Sequence, residues 1–445
     1  MTAGENKANP LLLPRSLVSY PLKGAALFKA PRGTADILPR EKAYWGYIEE
    51  KASQLCQLYG YQPISTPIFE DYQLFAHAAP ESTDIIKEMY VFEDRSGQKL
   101  ALTAEGTAPI CRAYLEHGLF NLPQPVRLYY FTPAFRYERP QAGRYRQHHQ
   151  FGCEAIGDAD PALDAEVIQL LHHFLSSLGL SRLSIELNST GCRGCQPGYV
   201  EALKKYYRGY KDKLCSDCKG RLARNPLRLL DCKEASCQGI IAGAPKITGY
   251  LCSECREHFQ GVRQYLAALG IACRLNPRLV RGLDYYTRTV FEVKPEGEGA
   301  QVALGGGGRY DNLIEDLGGK PTPAVGFATG IERIILNLKS QDVPLPSLPS
   351  PTAYVACRSK EARLEAARLV STLRHQGIAA IPASGERSLK GQLRQANSAG
   401  ARYAIIIGEK GDKTAVLRDM AGGEQKTVPL GKIAQMLKKS ANTIL

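Results

Sequence analysis

A chain of 445 residues is too long for one compact core, so two or three domains are expected. With 44% hydrophobic and 23% charged residues it reads as a soluble globular protein, and no apolar run approaches the roughly 18 residues of a membrane-spanning helix. The formal charge of +13 reads either as simple solubility or as a polyanion partner, most often nucleic acid.

In chain order, the opening MTAGENKANPLLLPRSLVSYPLKGAALFKAP is broken by prolines and lacks a charged–apolar–small signal pattern. Residues 1–25 are read as a poorly ordered extension and the protein as cytoplasmic. Beyond them the strands are long, aromatic and clustered between hairpin-like turns. That favours an α+β fold, an antiparallel sheet with flanking helices. LTAEGTAPICRAY (102–114) places Glu105 and Thr107 just before a helical run.

The next stretch is unusual. FRYERPQAGRYRQHHQFG (135–152) carries four arginines, one glutamate and two histidines between apolar flanks. It reads as a hairpin with a long tip. Alternation puts His149, Phe151, Cys153 and Ala155 on one face, with His148, Gln150 and Glu154 on the other. Arg136 and Glu138 share a face opposite Phe135 and Tyr137. A solvated edge would favour lysine. Arginines suggest phosphate, because a guanidinium grips oxyanions with paired donors.

Between about 190 and 262 the chain turns rich in cysteine and lysine. Eight of the thirteen cysteines fall in four close pairs, Cys192/Cys195, Cys215/Cys218, Cys232/Cys237 and Cys252/Cys255. Disulfides are unusual in a cytoplasmic chain. Paired thiolates suit tetrahedral zinc, one or two ions, with free buried thiols or an ancestral site no longer used as the alternatives.

Two later stretches, 279–293 and 324–338, share with 102–114 the character of the hairpin. LVRGLDYYTRTVFEV (279–293) supplies Arg281, Asp284, Tyr285 and Tyr286, and GGGGRYD begins at Gly305. Glycine runs are commonly turns, and this one does not continue into G-x-G-x-x-G. With no G-x-x-x-x-G-K-[ST] either, a nucleotide would be held by arginines on a sheet. AVGFATGIERIILNL (324–338) is a small-residue strand entering a helix with Arg333. Gly326, Ala328 and Gly330 share one face, leaving room for something flat.

Proline-dense QDVPLPSLPSPT (341–352) marks a linker. After it, AYVAC, IAAIP, YAIIIG and TAVLRD read as strands, with helices over SKEARLEAARLVSTLRHQG and RSLKGQLRQANSAG. This is a small α/β domain on a mostly parallel sheet. Residues 353–445 hold 16 Lys+Arg against 7 Asp+Glu, a net of +9.

Taken in order, PRGTADILPRE, FRYERPQAGRYRQHHQFG, RGLDYYTRTVFE, GGGGRYDNL and AVGFATGIERI resemble histidyl-tRNA synthetase, a class II aminoacyl-tRNA synthetase. The resemblance extends to NPLRLLDCK and the C-terminal domain, roughly residues 26–440. It implies a catalytic domain in two parts (26–190 and 263–340) on a six-stranded antiparallel sheet. A Cys-rich insertion (191–262) would interrupt it, and an anticodon-binding α/β domain (353–445) would follow.

It also implies a homodimer that uses ATP with Mg2+, L-histidine and the tRNA for histidine. Histidine would be joined to AMP with release of pyrophosphate and then passed to the tRNA. By the resemblance Arg136 and Arg281 act on the α-phosphate, and Arg333 grips the distal phosphates. Glu138, Arg144 and His148 hold the rest of the ATP, and Glu105, Thr107, Gln150, Glu154, Tyr285, Tyr286 and Tyr310 read histidine. Arg139 and Gln141 meet the tRNA acceptor end. A site paired to both imidazole nitrogens rejects non-bonding analogues by roughly 10⁴–10⁵, so no editing domain is needed.

At two places the chain departs from the family pattern. His148 stands where Phe is more common, and LTA precedes Glu105 where LRP is common. Two other readings compete. The regulatory subunit of ATP phosphoribosyltransferase binds histidine on the same fold. It typically lacks the C-terminal domain, however, and its arginine motifs are eroded. A module sensing uncharged tRNA without chemistry is opposed by the intact RGLDYY.

Overall fold

The computed structural model describes residues 28–78, 84–138, 143–296, 303–344, 350–385, 387–409 and 411–441. The chain divides into two compact units, Met1–Leu345 and Pro346–Leu445.

The first unit is organised by six long strands: β1 Val126–Phe135, β2 Gln147–Ile156, β3 Leu183–Ser189, β4 Thr287–Pro295, β5 Gly305–Arg309 and β6 Ala324–Gly330. They pair antiparallel in the order β1-β2-β6-β5-β4-β3. The sheet is wider than the six antiparallel strands expected. Gln62–Pro63 adds parallel to β1, and Cys273–Leu275 adds parallel to β3. Parallel pairing needs a long crossover, and both pairs have one. The insertion and the helix Ser253–Ala268 separate β3 from Cys273.

Each face of the sheet has its own core. One packs the helices Pro39–Leu58, Pro161–Ser177, Ser253–Ala268 and Ile331–Ser340 against Phe151, Cys153, Phe291 and Phe327. The other packs Tyr72–Ala78, Thr107–Glu116 and Leu313–Asp316 against Tyr130, Val290 and Tyr310. The alternation read along 148–155 therefore holds, with Phe151 and Cys153 in the first core and Glu154 on the opposite side. Tyr137 is more than half exposed rather than packed in a core, because β1 ends at Phe135 and the tyrosine lies under Arg146.

GGGGR is a buried central strand and not a turn. Its glycines lie where neighbouring backbone is close. A Cβ on Gly307 would stand 1.9 Å from the Gly326 carbonyl, and one on Gly306 would stand 2.6 Å from the Phe291 carbonyl. The arginine ending this strand does not face the cleft. Arg309 is fully buried, bonds Asp164 (Nε–Oδ2, 3.0 Å) and donates to the Asp158 carbonyl at 2.9 Å. Against burial, which raises it, Arg309 and His258 hold the Asp164 carboxyl down at about 2.

In the second unit the strands at Ala380–Pro382, Ala353–Cys357 and Tyr403–Ile407 are parallel. Thr414–Asp419 and an unforeseen Gln425–Pro429 continue the sheet antiparallel. QKTVP carries no strand pattern in its sequence because Val428 is its one buried residue, too little for an alternation.

Candidate active site

Six segments converge on one cleft against the second core. β1 and its extension bring Arg136 and Glu138, and the hairpin return brings Arg144, His148 and Gln150. The helix beginning at Thr107 brings Glu105 and Thr107, and the loop before β4 brings Arg281, Tyr285 and Tyr286. Tyr310 follows β5, and Arg333 follows β6. Arg139 and Gln141 lie outside the described residues.

One end of the cleft is cationic. Arg136 is held by its Nε on the Ala104 carbonyl at 2.9 Å, and Arg333 donates to the carbonyls of Gly143 (3.2 Å) and Ala303 (3.3 Å). Among the described residues neither forms an ion pair. Burial lowers the Arg333 guanidinium from its ordinary value, and Arg144, Arg136 and Arg281 add repulsion. An incoming anion relieves that repulsion. Arg144 reaches Glu138 at 3.7 Å. Arg281 pairs with Glu292 at 2.6 Å, while its Nε is buried with no partner among the described residues. A buried donor without an acceptor costs free energy that a ligand oxygen would recover.

His148 belongs to this end. Burial first, then Arg136 and Arg333, lower its imidazole to about 3. At neutral pH it is an uncharged flat ring.

The other end is polar and anchored by carboxylates. Glu105 accepts from the amides of Thr107 and Ala108, both at 2.8 Å, so it caps the helix that starts there. Tyr285 donates to it at 3.3 Å. Gln150 accepts from the Gly106 amide at 3.1 Å. Glu154 does not line the cleft. It lies beneath it, 1% exposed, accepting from Thr107 Oγ1 at 2.7 Å, Tyr130 Oη at 3.3 Å and Tyr310 Oη. Burial raises its carboxyl to about 8 against the pull of those donors. Gly326 makes room for it, since a Cβ there would stand 1.8 Å from Glu154 Oε2.

The cysteines gather into two quartets away from the cleft. Cys192, Cys195, Cys252 and Cys255 form one, and Cys215, Cys218, Cys232 and Cys237 the other. None of the thirteen cysteines is in a disulfide.

Comparison with known proteins bears on the whole chain. The family described as Histidyl-tRNA synthetase matches residues 33–193 and 242–334, and the family Anticodon binding domain matches residues 352–440. The chain belongs to the histidyl-tRNA synthetase family. A histidine–tRNA ligase of Dehalococcoides mccartyi (strain 195) is 55% identical over 416 residues, covering 93% of this chain and all of the relative. One from Desulforudis audaxviator is 50% identical over 420 residues, covering 93% and 99%. A crystal structure of apo S. aureus histidyl-tRNA synthetase superposes with a TM-score of 0.78 at 38% identity, covering 93% of this chain and all of that one. The family match skips residues 194–241, which hold five of the eight clustered cysteines.

Sequence reasoning missed three contributors to this synthetase cleft. Glu292 pairs with Arg281, and its signal was a lone carboxylate in the apolar run TVFEV. Tyr130 reaches Glu154 from β1. Glu332, beside Arg333, lines the cleft and bonds the His149 imidazole at 2.8 Å.

Proposed function

We propose that this chain joins L-histidine to its cognate tRNA in two steps through histidyl-adenylate. The observation that carries the reading is a cleft with arginines from four separate segments at one end and, at the other, hydrogen-bonding groups arranged around the Glu105 carboxyl. Family membership supports it. ATP with Mg2+ is the first substrate. A histidine carboxylate oxygen attacks the α-phosphorus, the bond to the bridging oxygen breaks, and pyrophosphate leaves carrying its electron pair. In-line transfer needs charge neutralised and groups aligned rather than covalent help.

Arg281 and Arg136 take the charge that builds on the α-phosphate, and the unpartnered Arg281 Nε offers a donor for it. Arg333 and Arg144 take the distal phosphates, Glu138 orients the nucleotide, and His148 stacks on the base. Glu105, Thr107, Gln150, Tyr285, Tyr286 and Tyr310 read histidine. Glu154 acts from below through Thr107 and Tyr310. The terminal ribose hydroxyl of the tRNA then attacks the histidyl carbonyl and AMP leaves. Arg139 and Gln141 meet that end of the tRNA, and the second unit, with its net charge of +9, meets the anticodon bases.

We further place the enzyme in the cytoplasm as a homodimer, with structural zinc in its insertion. Thirteen cysteines with no disulfide among them support a reducing compartment. Phe69 and Phe92, paired edge-on and about half exposed, are apolar surface of the kind a subunit contact covers.

Histidine-dependent exchange of pyrophosphate into ATP is the test. Exchange with histidine alone among the twenty amino acids is the expected result, lost by at least about 10²-fold in Arg281→Ala. Histidine binding without exchange would overturn the reading.

A further inference from the structure

The insertion is a module of short helices around sulfur. Its core packs Leu203, Tyr207, Leu229 and Ile240 about the cysteines, and Cys218, Cys237 and Cys255 are wholly buried. The quartets are assembled from distant pairs. Cys192 and Cys195 follow directly from β3, while Cys252 and Cys255 open the helix Ser253–Ala268. Cys215 and Cys218 open the helix Ser216–Arg224, and Cys232 and Cys237 lie beyond the turn Pro226–Leu229.

Sulfur spacing identifies what fits inside. The Sγ–Sγ distances are 3.6 Å (Cys192–Cys195), 3.9 Å (Cys192–Cys252), 3.8 Å (Cys195–Cys255) and 3.8 Å (Cys215–Cys232). Within each quartet all four sulfurs lie within 4.8 Å of one another. A disulfide would bring a pair to about 2.05 Å. One tetrahedral ion with bonds of about 2.3 Å to sulfur sets edges of about 3.8 Å. Backbone amides also point at the sulfurs, Cys192 N at Cys195 Sγ (3.1 Å) and Cys215 N at Cys237 Sγ (3.4 Å). Such donors favour thiolate over thiol.

The second quartet has a further consequence. The chain it closes, from Cys218 to Cys232, carries Asn225 and Arg228. Asn225 Nδ2 donates to the Asp284 carboxylate at 3.1 Å, and Arg228 Nη1 donates to the Arg281 carbonyl at 3.4 Å. These contacts hold the loop that presents Arg281 to the cleft.

We propose that the insertion binds two mononuclear metal ions of the zinc class. One sits on Cys192, Cys195, Cys252 and Cys255, the other on Cys215, Cys218, Cys232 and Cys237. The second ion positions Arg281 through Asn225 and Arg228. Each cysteine binds as thiolate, its proton released to solvent. The positioning half rests on the role given to Arg281 above; the metal half does not. Asn225 and Arg228 are positioning residues that touch no substrate.

The full chain, purified without chelator from zinc-replete cells, is assayed for metal by elemental analysis. Two zinc ions per chain are expected, and one ion in each of the paired variants Cys192→Ser/Cys195→Ser and Cys215→Ser/Cys218→Ser. Less than about half an ion in the parent, or iron in place of zinc, overturns the metal sites. Asn225→Ala, which leaves every thiolate intact, keeps two ions. It lowers kcat of histidine-dependent exchange about tenfold while KM for ATP stays unchanged, since Arg136 and Arg333 stand on other elements. Unchanged kcat overturns the positioning role.

Trypsin cleavage after Arg281 gives a readout free of activity. It rises at least about tenfold in Cys215→Ser/Cys218→Ser, and an unchanged rate again overturns positioning. A parent with two ions but no exchange would sink the functional reading alone.

Discussion

Two titratable groups beside the cleft are held in the neutral form by burial, with opposite consequences for pH. Glu154 keeps a proton in the folded state between about 4.5 and about 8 that the unfolded chain has already released. Stability of the unliganded protein therefore falls as pH rises through that window. Glu154→Gln removes the slope. Thermal melts at pH 6 and pH 9 are expected to differ less for the variant than for the parent, and an equal difference would contradict the assignment. Histidine-dependent exchange falls about tenfold in the same variant, because Thr107 and Tyr310 bond different carboxyl oxygens and the amide replaces one of those oxygens by an NH2 donor.

His148 behaves in the other sense. Its imidazole stays neutral down to about 3, while the unfolded chain gains the proton near 6.5, so stability is lost as pH falls between those values. His148→Phe is expected to keep KM for ATP within about threefold and to be less sensitive to acid. A tenfold rise in KM would show that the ring nitrogen bonds the nucleotide rather than stacking on it.

At the scale of elements, β6 makes a comparison possible within one strand. A Cβ on Gly326 would collide with Glu154 and stand 2.6 Å from the Cys153 carbonyl. One on Gly330 would meet Arg333 at an ordinary 3.7 Å. Gly326→Ala is expected to abolish soluble expression or cut exchange by more than about 10²-fold, whereas Gly330→Ala stays within about threefold. Similar loss in both would mean that the strand matters for its flexibility rather than for its space.

The same strands mark what the sequence could reveal. Period-two alternation along 148–155 assigned the faces correctly because each side chain's direction is set locally. The small residues of β6 announced a close approach. What approaches is Glu154, four β2–β6 register pairs in from Gly330, and nothing local names it. GGGGR read as a turn because its reason for being glycine lies in the backbones of β4 and β6. Arg281 was legible, but its partner Glu292 needed knowledge of how the loop folds back on β4. The cysteine pairs were plain. Their sorting into quartets was not, because Cys192 and Cys252 meet across 60 residues of chain.

For the whole molecule, the division at Leu345/Pro346 separates the unit that holds the cleft from the unit that holds most of the excess positive charge. The cleft is built wholly from residues of the first unit, and both cores around its sheet are internal to that unit. The second unit packs its own strands and helices about Val355, Leu373, Ile405 and Leu437. It carries most of the excess positive charge, +9 of +13. Cleaving the chain in the proline-rich linker should therefore separate adenylation from tRNA recognition.

A fragment ending at residue 345 is expected to keep histidine-dependent exchange within about threefold of the full chain and to charge tRNA at least about 10²-fold more slowly. Residues 350–445 alone should melt cooperatively and bind tRNA with an affinity that falls steeply with salt, as counterion release requires. Loss of exchange in the fragment would mean that the cleft depends on the second unit for its shape. Charging that survives truncation would mean that the hairpin tip and insertion supply most of the grip on tRNA.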